Sequence, residues 1–388
     1  MTEYLLSDVA AVESGAGFPV VYQGVQDAAF PFLKVSDMNL SGNERAIKRW
    51  NHSISEQVRG KLRAKAFPGG SLIFPKVGAA IATNKKRQLT RPSCVDNNVM
   101  AILPKPELLD PDFLYYLFLT KNLSDFASDS NPPSIRKSDV EKWKVRVPPL
   151  PEQRRIVDLL SRAEGIVRLR REAEKKAAEL IPALFVDMFG DPGRNPKGWP
   201  VATLGRHVKI PSTVRTPNLS TESDFLCMGA DSIESLSGKL ISMPTVRDVL
   251  PKSGKYWFED GDVLYSKIRP YLAKATLAHT GGYCSADMYP LRCHPTLRPI
   301  FLLSLLLSSA FTEYATAESV RVSMPKLNRE TLFKYPFPMP PVDLQVVFSE
   351  RAEAMQSIQL QQSTATTKAQ ATFEALLAQA FSNNGANV

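Results

Sequence analysis

The sequence predicts an α+β protein in which two globular segments alternate with two long helices. Three observations predict it. The chain repeats itself after about 190 residues, each copy ends in a long stretch without turn signals, and the preceding segments mix β-branched runs with apolar helical runs. The two helices are expected to pack as an antiparallel coiled coil, which relates the copies by an approximate, or pseudo, two-fold axis.

Short matching strings establish the duplication. Phe67-Pro-Gly-Gly-Ser-Leu-Ile-Phe-Pro-Lys76 resembles Phe258-Glu-Asp-Gly-Asp-Val-Leu-Tyr-Ser-Lys267, since each has a Gly turn, an apolar strand and a final lysine. The end of each copy matches best, where Pro148-Pro-Leu-Pro-Glu-Gln153 aligns with Pro340-Pro-Val-Asp-Leu-Gln345. Closer to the long helices, Ser134-Ile-Arg-Lys137 is expected to correspond to Ser323-Met-Pro-Lys326. An ordered series of matches indicates two related domains.

Each long helix is predicted from a stretch that follows a proline-rich string. Pro151 suits a first helical turn, and with Ile156 as heptad position a, eight of the ten a and d positions are apolar. Leu159 and Ile166 are among these d positions. Pro182 predicts a kink, because proline lacks the backbone donor that a helix interior needs. The C-terminal helix is weaker, with six apolar positions of ten.

The charge distribution favours a polyanionic partner. The net charge is +9, of which residues 1–150 and 191–339 contribute +5 each, whereas 151–190 contribute +1 and 340–388 contribute −2. The basic excess therefore lies in the two globular segments, which is expected if both contact nucleic acid. The four cysteines form no CxxC pair and no ligand spacing with the four histidines, so no metal site is predicted.

The sequence predicts neither a signal peptide nor a membrane-spanning helix. The opening MTEYLLSDVAAVESG has no basic segment followed by an apolar core, so no signal peptide is predicted. The longest apolar run, Ile300 to Leu307, is too short to span a bilayer and is typical of a buried helix. We expect a cytoplasmic protein.

A globular unit that ends in a PPLPEQ-like string and a long helix, all repeated once, resembles the specificity subunits of type I restriction–modification systems. Gly261-Asp-Val-Leu-Tyr-Ser-Lys-Ile-Arg-Pro270 is similar to a stretch typical of the target recognition domains of that family. The resemblance implies target recognition domains at 1–147 and 192–339, with spacer helices at 148–191 and 340–388. Leu344 departs from the pattern, because it stands where the first copy has Glu152.

The resemblance implies a function in DNA recognition. Each globular domain would read one half of a split, asymmetric sequence in double-stranded DNA, and the helices would hold methyltransferase subunits, expected in two copies. An endonuclease subunit could join the complex. The chain itself would hold no cofactor and perform no catalysis.

Candidate DNA contacts are basic and aromatic residues beside predicted strands or loops, since Lys and Arg hold phosphates and Arg also pairs with base edges. They are Lys76, Lys85, Lys86, Arg87, Arg91, Arg136, Lys137, Lys267, Arg269, Tyr271, Lys274, Arg321 and Lys326. Candidate partner contacts lie in the motif strings and at the helix ends. They are Glu152, Gln153, Leu184, Phe185, Phe189, Gln345, Leu376, Leu377 and Phe381.

Two motifs suggest a rival function, in which the chain is itself a methyltransferase. Gly15-Ala-Gly17 resembles a loop that holds S-adenosylmethionine, and Asn131-Pro-Pro-Ser134 resembles the catalytic motif of amino-methyltransferases. Their surroundings argue against this, because the glycines open no helix and Ser134 replaces the expected aromatic residue. A further alternative is a two-module DNA-binding adaptor for a partner that does not methylate. A scaffold that never binds DNA is the third.

Overall fold

The architecture consists of two compact units. A computed structural model describes residues 2–211, 213–319 and 325–382. The first unit comprises Met1–Leu169 with Thr366–Val388, and the second comprises Arg170–Ala365. Each unit therefore contains one globular segment, one part of the first long helix and one part of the second. The domain boundaries given above stay a prediction, because this division groups segments by contact.

The described part of the first unit contains ten strands and the start of a long helix. Its strands are β1 (Thr2–Leu5), β2 (Ala10–Ser14), β3 (Phe30–Leu33), β4 (Ala46–Ile47), β5 (Ser53–Ile54), β6 (Leu72–Pro75), β7 (Arg87–Leu89), β8 (Cys94–Val95), β9 (Val99–Pro104) and β10 (Lys144–Val147). Its helices are α1 (Leu6–Val9), α2 (Glu56–Lys61), α3 (Pro111–Leu119), α4 (Lys137–Glu141) and the first part of α5 (Leu150–Ala178).

Three sheets organise the strands of this unit. A five-stranded sheet has the order β2-β9-β6-β7-β4, a three-stranded sheet has the order β5-β3-β8, and β1 pairs with β10 in antiparallel register. Helix α3 packs on the larger sheet. It begins because Pro111 occupies its first turn and the Asp110 carboxylate accepts the backbone N–H groups of Asp112 and Phe113. Its side chains from Phe113 to Phe118 are all buried, which makes α3 the centre of the core.

The second unit repeats this plan. Its helices are α6 (Leu180–Phe189), α7 (Val246–Val249), α8 (Pro299–Leu306), α9 (Ser309–Ala317), α10 (Arg329–Lys334) and the first part of α11 (Val342–Phe381). Its strands are β11 (Val201–Thr203), β12 (Val208–Lys209), β13 (Val214–Arg215), β14 (Leu226–Met228), β15 (Lys255–Phe258), β16 (Val263–Ser266), β17 (Ala275–Leu277), β18 (Gly282–Ser285), β19 (Met288–Cys293) and β20 (Pro336–Pro338).

The sheets of the second unit correspond to those of the first. Their orders are β12-β19-β16-β17 and β13-β15-β18-β14, while β11 pairs with β20 in antiparallel register as β1 does with β10. The buried helix α8 takes the place of α3. Among the described residues no single helix is long and apolar enough to cross a membrane, although the bent pair formed by α8 and α9 meets that test by length and composition. The α+β class and the duplication are therefore confirmed.

The two long helices run antiparallel within each unit. In the first unit, Phe373 and Phe381 of α11 join the same core as Ile156 and Leu160 near the start of α5. In the second unit, Phe185 of α6 packs against Phe348 near the start of α11, with ring centroids 5.6 Å apart. The end of one helix thus meets the start of the other in both cases, which confirms the predicted antiparallel packing.

The prediction that the a and d positions of α5 form the interface between the two long helices is wrong for the d positions. Ile156, Leu160 and Val167 are buried, whereas Leu159 and Ile166 are each 51% exposed. The physical reason is that α5 packs against its globular segment as well as against α11, so its buried face follows positions a and e. An apolar stripe at the d positions is left on the surface.

Helix α5 ends where Pro182 requires it to end. Pro182 has no N–H to bond the carbonyl of Ala178, and Ala178 is the last residue of α5. Helix α6 resumes at Leu180, which places Pro182 in its first turn, where a backbone donor is not needed. The predicted kink is therefore confirmed as a break between two helices.

A buried glutamine fastens each long helix to its globular segment. In the first unit, the Gln153 amide accepts the backbone N–H of Asp110 at 2.8 Å and donates to the carbonyls of Leu108 at 2.8 Å and Pro148 at 2.7 Å. Gln153 is 0% exposed, so all of these bonds are shielded from water. The amide therefore joins the helix start to the loop that begins α3.

The second unit builds the same contact with Gln345. Its amide oxygen accepts the backbone N–H of Arg298 at 3.0 Å, and its amide nitrogen donates to the carbonyl of Pro340 at 2.9 Å. Gln345 is also 0% exposed. The last residue of each PPLPEQ-like string thus has the same structural role in both units.

We expect Gln153→Ala to lower the free energy of unfolding of the first unit by about 2–4 kcal/mol, because it leaves buried backbone groups without partners. Urea unfolding measures the change, and Gln361→Ala on the exposed side of α11 is the matched control. A Gln153→Ala protein as stable as the control would contradict the role assigned to this amide.

Candidate nucleic-acid interface

The strongest site candidates lie where a strand of each unit ends in a lysine. Lys76 follows β6 and Lys267 follows β16. The carbonyl of Lys76 accepts the N–H of Ile135 at 2.9 Å, and the carbonyl of Lys267 accepts the N–H of Leu327 at 2.8 Å. The two lysines therefore occupy equivalent positions, as their sequence strings predict.

The predicted match of Lys137 with Lys326 is wrong by three residues. The structure pairs Val77 with Ser134 and Ile268 with Lys326 through equivalent β-bridges, so Lys326 corresponds to Ser134. The buried residues that follow, Ile135 and Leu327, agree with this register. The shared Ser-x-x-Lys spacing predicts the wrong register, because the buried positions Ile135 and Leu327 correspond in the structure and the lysines do not.

In the first unit, three lysines gather at the end of β2. Lys76 Nζ donates to Ser14 Oγ at 2.9 Å, while Lys65 Nζ lies 3.0 Å and Lys137 Nζ 3.4 Å from the Glu13 carboxylate. The hydrogen bond from Lys65, helped by the charge of Lys137, lowers the pKa of Glu13. Lys65 and Lys137 share Glu13, while the charge of Asp96 acts on Lys76. Two ammonium groups against one carboxylate leave the surroundings of Glu13 net positive, which suits a phosphate group.

Arg136 lies in different surroundings from its neighbour Lys137. It is exposed and lines a shallow pocket together with Asp125, Asp129, Asp139 and Trp143. Carboxylates on the same pocket repel a phosphate, so this environment makes Arg136 a weaker DNA candidate than the lysines around Ser14.

Three further candidates of the first unit contact the segment 34–52. Lys85 Nζ donates to the side-chain oxygen of Asn39. Arg87 donates to the carbonyl of Met38 at 3.2 Å, and the Arg91 guanidinium lies 5.6 Å from the ring centroid of Trp50. All three cations therefore lie beside one segment, which also carries the exposed Glu44 near Arg87.

Lys86 does not face solvent, which corrects its prediction as a DNA contact. It is 2% exposed, and its ammonium donates to Asn84 Oδ1 at 2.7 Å and to the carbonyl of Lys121 at 2.6 Å. Burial lowers the pKa of Lys86 to about 8. In the string Asn84-Lys-Lys-Arg87 the sequence shows three cations in a row, and only the fold reveals that the middle one points inwards.

In the second unit, Lys267 lies beside a second ammonium group. It is 8% exposed, and its Nζ lies 4.9 Å from the ring centroid of Tyr289. Burial lowers the pKa of Lys267, and the neighbouring charge of Lys326 lowers it further. The charge of Asp287 offsets part of the repulsion between the two ammoniums, and an anion such as a phosphate would relieve the rest.

The remaining candidates of the second unit surround this pair. Arg269 is exposed and adopts a left-handed backbone conformation with φ of 48°. Tyr271 is 49% exposed, whereas Lys274 Nζ is already bound to the carbonyl of Ala230 at 2.8 Å. Arg321 lies outside the described residues.

Most of the predicted partner contacts are internal contacts, which corrects their assignment. Gln153 and Gln345 are the buried fasteners described above. Phe185 and Phe189 are buried in the core of the second unit. The partly buried members of the set pack on a core too, namely Leu184 in the second unit and Leu376, Leu377 and Phe381 in the first. Glu152 stays at the surface, in an ion pair with Arg155 at 2.9 Å.

The exposed apolar stripe of α5 is the partner candidate that sequence reasoning missed. Leu159, Ile166 and Leu169 are between 51% and 58% exposed and lie on one face of the helix. The apolar character at the d positions was visible in the sequence, but it was assigned to the seam between the helices. Exposed apolar residues in register on one helix face are typical of a protein-binding surface.

The structure around the two methyltransferase-like motifs, Gly15-Ala-Gly17 and Asn131-Pro-Pro-Ser134, does not support a methyltransferase site. A side chain at Gly15 would lie 2.0 Å from the carbonyl oxygen of Asp96, so close backbone packing requires a glycine there. The segment after Gly17 continues into a short turn at Val20–Tyr22 rather than a long helix. The bond between Asn131 and Pro132 is cis. Within the part of the chain that the structure describes, no group of His, Cys, Asp and Glu could hold a metal ion.

Comparisons with known proteins agree with the resemblance seen in the sequence. Residues 1–179 match the family model of the type I restriction modification DNA specificity domain. The EcoDI type I restriction enzyme specificity subunit of Escherichia coli is 28% identical over 319 residues, which cover 71% of this chain and 70% of the relative. The MjaIX specificity subunit of Methanocaldococcus jannaschii is 27% identical over 196 residues, which cover 44% and 43%.

Solved structures extend the likeness to nearly the whole chain. The type I restriction-modification S subunit from M. genitalium has a TM-score of 0.57 at 12% identity and covers 98% of this chain and 96% of its own. A chain from a study of complex assembly and conformational transition in a type I R-M system has a TM-score of 0.56 at 18% identity, covering 99% and 98%. The fold is therefore that of a type I S subunit.

The class of protein follows from fold and sequence together. Residues 1–179 match the model of the type I DNA specificity domain, and the fold over nearly the whole chain is that of a type I S subunit. The predicted resemblance of the chain to the specificity subunits of type I restriction–modification systems is confirmed.

The burial of Lys86 should make the free energy of unfolding depend on pH. Between pH 8 and its usual pKa of 10.5, the folded protein binds fewer protons at Lys86 than the unfolded chain does, so this residue makes stability rise with pH. The cost of burying its charge is fully present below pH 8 and is relieved as the pH approaches 10.5.

We therefore expect the wild type to gain up to about 3 kcal/mol of unfolding free energy relative to Lys86→Met between pH 7.5 and pH 10. Urea unfolding at both pH values measures this difference, and Lys85→Met is the control. A difference between wild type and Lys86→Met that is the same at both pH values would show that Lys86 is not buried as a cation.

Proposed function

We propose that this chain recognises a split, asymmetric sequence in double-stranded DNA and directs methyltransferase subunits to it. Each globular segment reads one half of the target. The observation that supports this most strongly is that both units place a lysine, Lys76 or Lys267, at the same position after equivalent strands. The relatives are specificity subunits, and the type I fold extends over both units.

The proposed complex contains two methyltransferase subunits, and an endonuclease subunit could join them. The chain contributes recognition and no catalysis, needs no cofactor and acts in the cytoplasm. Its apolar stripe at Leu159, Ile166 and Leu169 is the proposed docking surface for a methyltransferase subunit. Such a stripe would be covered in the complex, which explains why apolar side chains remain on the surface of the isolated chain.

Mapping methylated bases in the host genome, with and without this gene, tests the proposed function. Loss of methylation at a motif with two short halves around a fixed gap is the expected result. Unchanged methylation, together with salt-dependent DNA binding by the purified chain, would instead favour the adaptor function. Binding of S-adenosylmethionine by the pure chain would favour the rival methyltransferase function.

Lys76→Ala and Lys267→Ala are expected to weaken DNA binding by the assembled complex without changing the methylated motif. A phosphate contact carries no sequence information, and its loss reduces the slope of log affinity against log salt by about 1. Titrations at several salt concentrations measure this, with the exposed Lys61→Ala as control. Equal salt slopes for Lys76→Ala, Lys267→Ala and the control would exclude these lysines as phosphate contacts.

Ile166→Glu is expected to weaken capture of the methyltransferase subunit at least tenfold, because it places a charge in the centre of an apolar contact. Co-purification and light scattering measure the complex. Arg154→Glu changes the charge of the same helix outside the stripe and is expected to leave assembly intact. Normal assembly of Ile166→Glu would mean that the partner docks elsewhere.

A further inference from the structure

Two fully buried polar side chains in the first unit hold one short surface loop, Lys48–Asn51. Asn43 and Asp37 are both 0% exposed. The Asn43 side-chain oxygen accepts the N–H groups of Lys48 at 2.8 Å and Arg49 at 3.0 Å, and its nitrogen donates to the carbonyl of Arg49 at 2.7 Å. One buried amide thus fixes the backbone of Arg49 on both sides.

Asp37 fixes the far end of the loop and is tied to Asn43. Its Oδ1 accepts the backbone N–H and the side-chain amide of Asn51, each at 2.9 Å. Its backbone carbonyl accepts the Asn43 amide at 2.8 Å. Burying a carboxylate and an amide is costly unless every polar atom finds a partner, so the loop conformation is strongly specified.

The loop presents cations on this rigid backbone. Lys48 and Arg49 are exposed, and among the residues that the structure describes the Arg49 guanidinium forms no ion pair. Trp50 donates to the carbonyl of Gln26 at 3.2 Å, and its ring lies beside the Arg91 guanidinium. Arg87 and Lys85 support the preceding turn at Met38 and Asn39. The surface around the loop therefore carries several cations on a fixed backbone, with the exposed Glu44 carboxylate near Arg87 and Lys48.

We propose that Arg49 reads a base in the half-site recognised by the first unit, with Lys48 on a neighbouring phosphate. This inference rests on the proposed function. Reading a base edge needs a donor pair held in one place, and arginine offers two N–H groups in a fixed plane that match a guanine. A backbone held by Asn43 on both sides supplies the placement, whereas a phosphate contact alone would not need it.

The string Lys48-Arg-Trp-Asn-His52 gave no signal of this role in the sequence, because the residues that hold it lie five and more positions upstream. Lys267 and Lys326 of the second unit correspond to Lys76 and Ser134 rather than to this loop, so the proposed reading loop is argued for the first unit alone.

The test uses the complete complex and compares Arg49→Ala, Arg49→Lys and Arg146→Ala. Arg146 is an exposed arginine on β10 and serves as the matched control. We expect Arg49→Ala and Arg49→Lys both to relax one base position in one half of the methylated motif. Discrimination at that position should fall about tenfold to a hundredfold in binding to duplexes that differ there. The other half of the motif should be unchanged, and Arg146→Ala should match wild type.

A methylated motif that is unchanged in both Arg49 variants would overturn the inference. Normal binding and discrimination by Arg49→Lys would also overturn it, because lysine keeps a phosphate contact but loses the paired donor geometry of arginine. Both results leave the proposed function standing, because the wild-type gene would still confer the split motif. As a second measurement, Asn43→Ala frees the loop without removing a cation. It should weaken binding to the same half-site, and undiminished binding by a folded Asn43→Ala complex would also count against the inference.

Discussion

The bonds of a buried glutamine amide at the start of each long helix are the constraint on which the rest of the structure depends. Gln153 and Gln345 join helix to globular segment with bonds that water cannot replace. A recognition surface is useful only when it is held at a fixed angle on its support. With the helix start fastened, α3 or α8 lies against the sheet whose strand β6 or β16 is followed by the equivalent lysine, half-buried at Lys76 and 8% exposed at Lys267.

Much of the fold could be predicted, because duplication and helical length are written into the sequence directly. The strings around Lys76 and Lys267 predicted equivalent positions, and Pro182 predicted a break that the structure places at its i−4 carbonyl. The heptad pattern predicted that the d positions of α5 would pack against α11, and this was wrong. Heptad counting considers only packing between helices, whereas α5 also packs against its globular segment. Leu159 and Ile166 therefore lie on the surface.

The site was harder to predict than the fold. The sequence gives the charge of a lysine but not the direction of its side chain. Lys86 was therefore predicted to contact DNA although its side chain is buried. The motif residues Gln153 and Gln345 were assigned to a partner because their role in packing needs loops that are distant in sequence. The loop at Arg49 escaped notice for a similar reason, since its order comes from Asn43 and Asp37.

The central claim is that each unit recognises its own half of one target. The most direct measurement replaces residues 192–339 with the corresponding segment of a specificity subunit that has a different motif and then maps methylated bases in the host. The account predicts a motif that keeps one half and the spacing and acquires the other half from the donor. A motif that changes in both halves, or in neither, would contradict it.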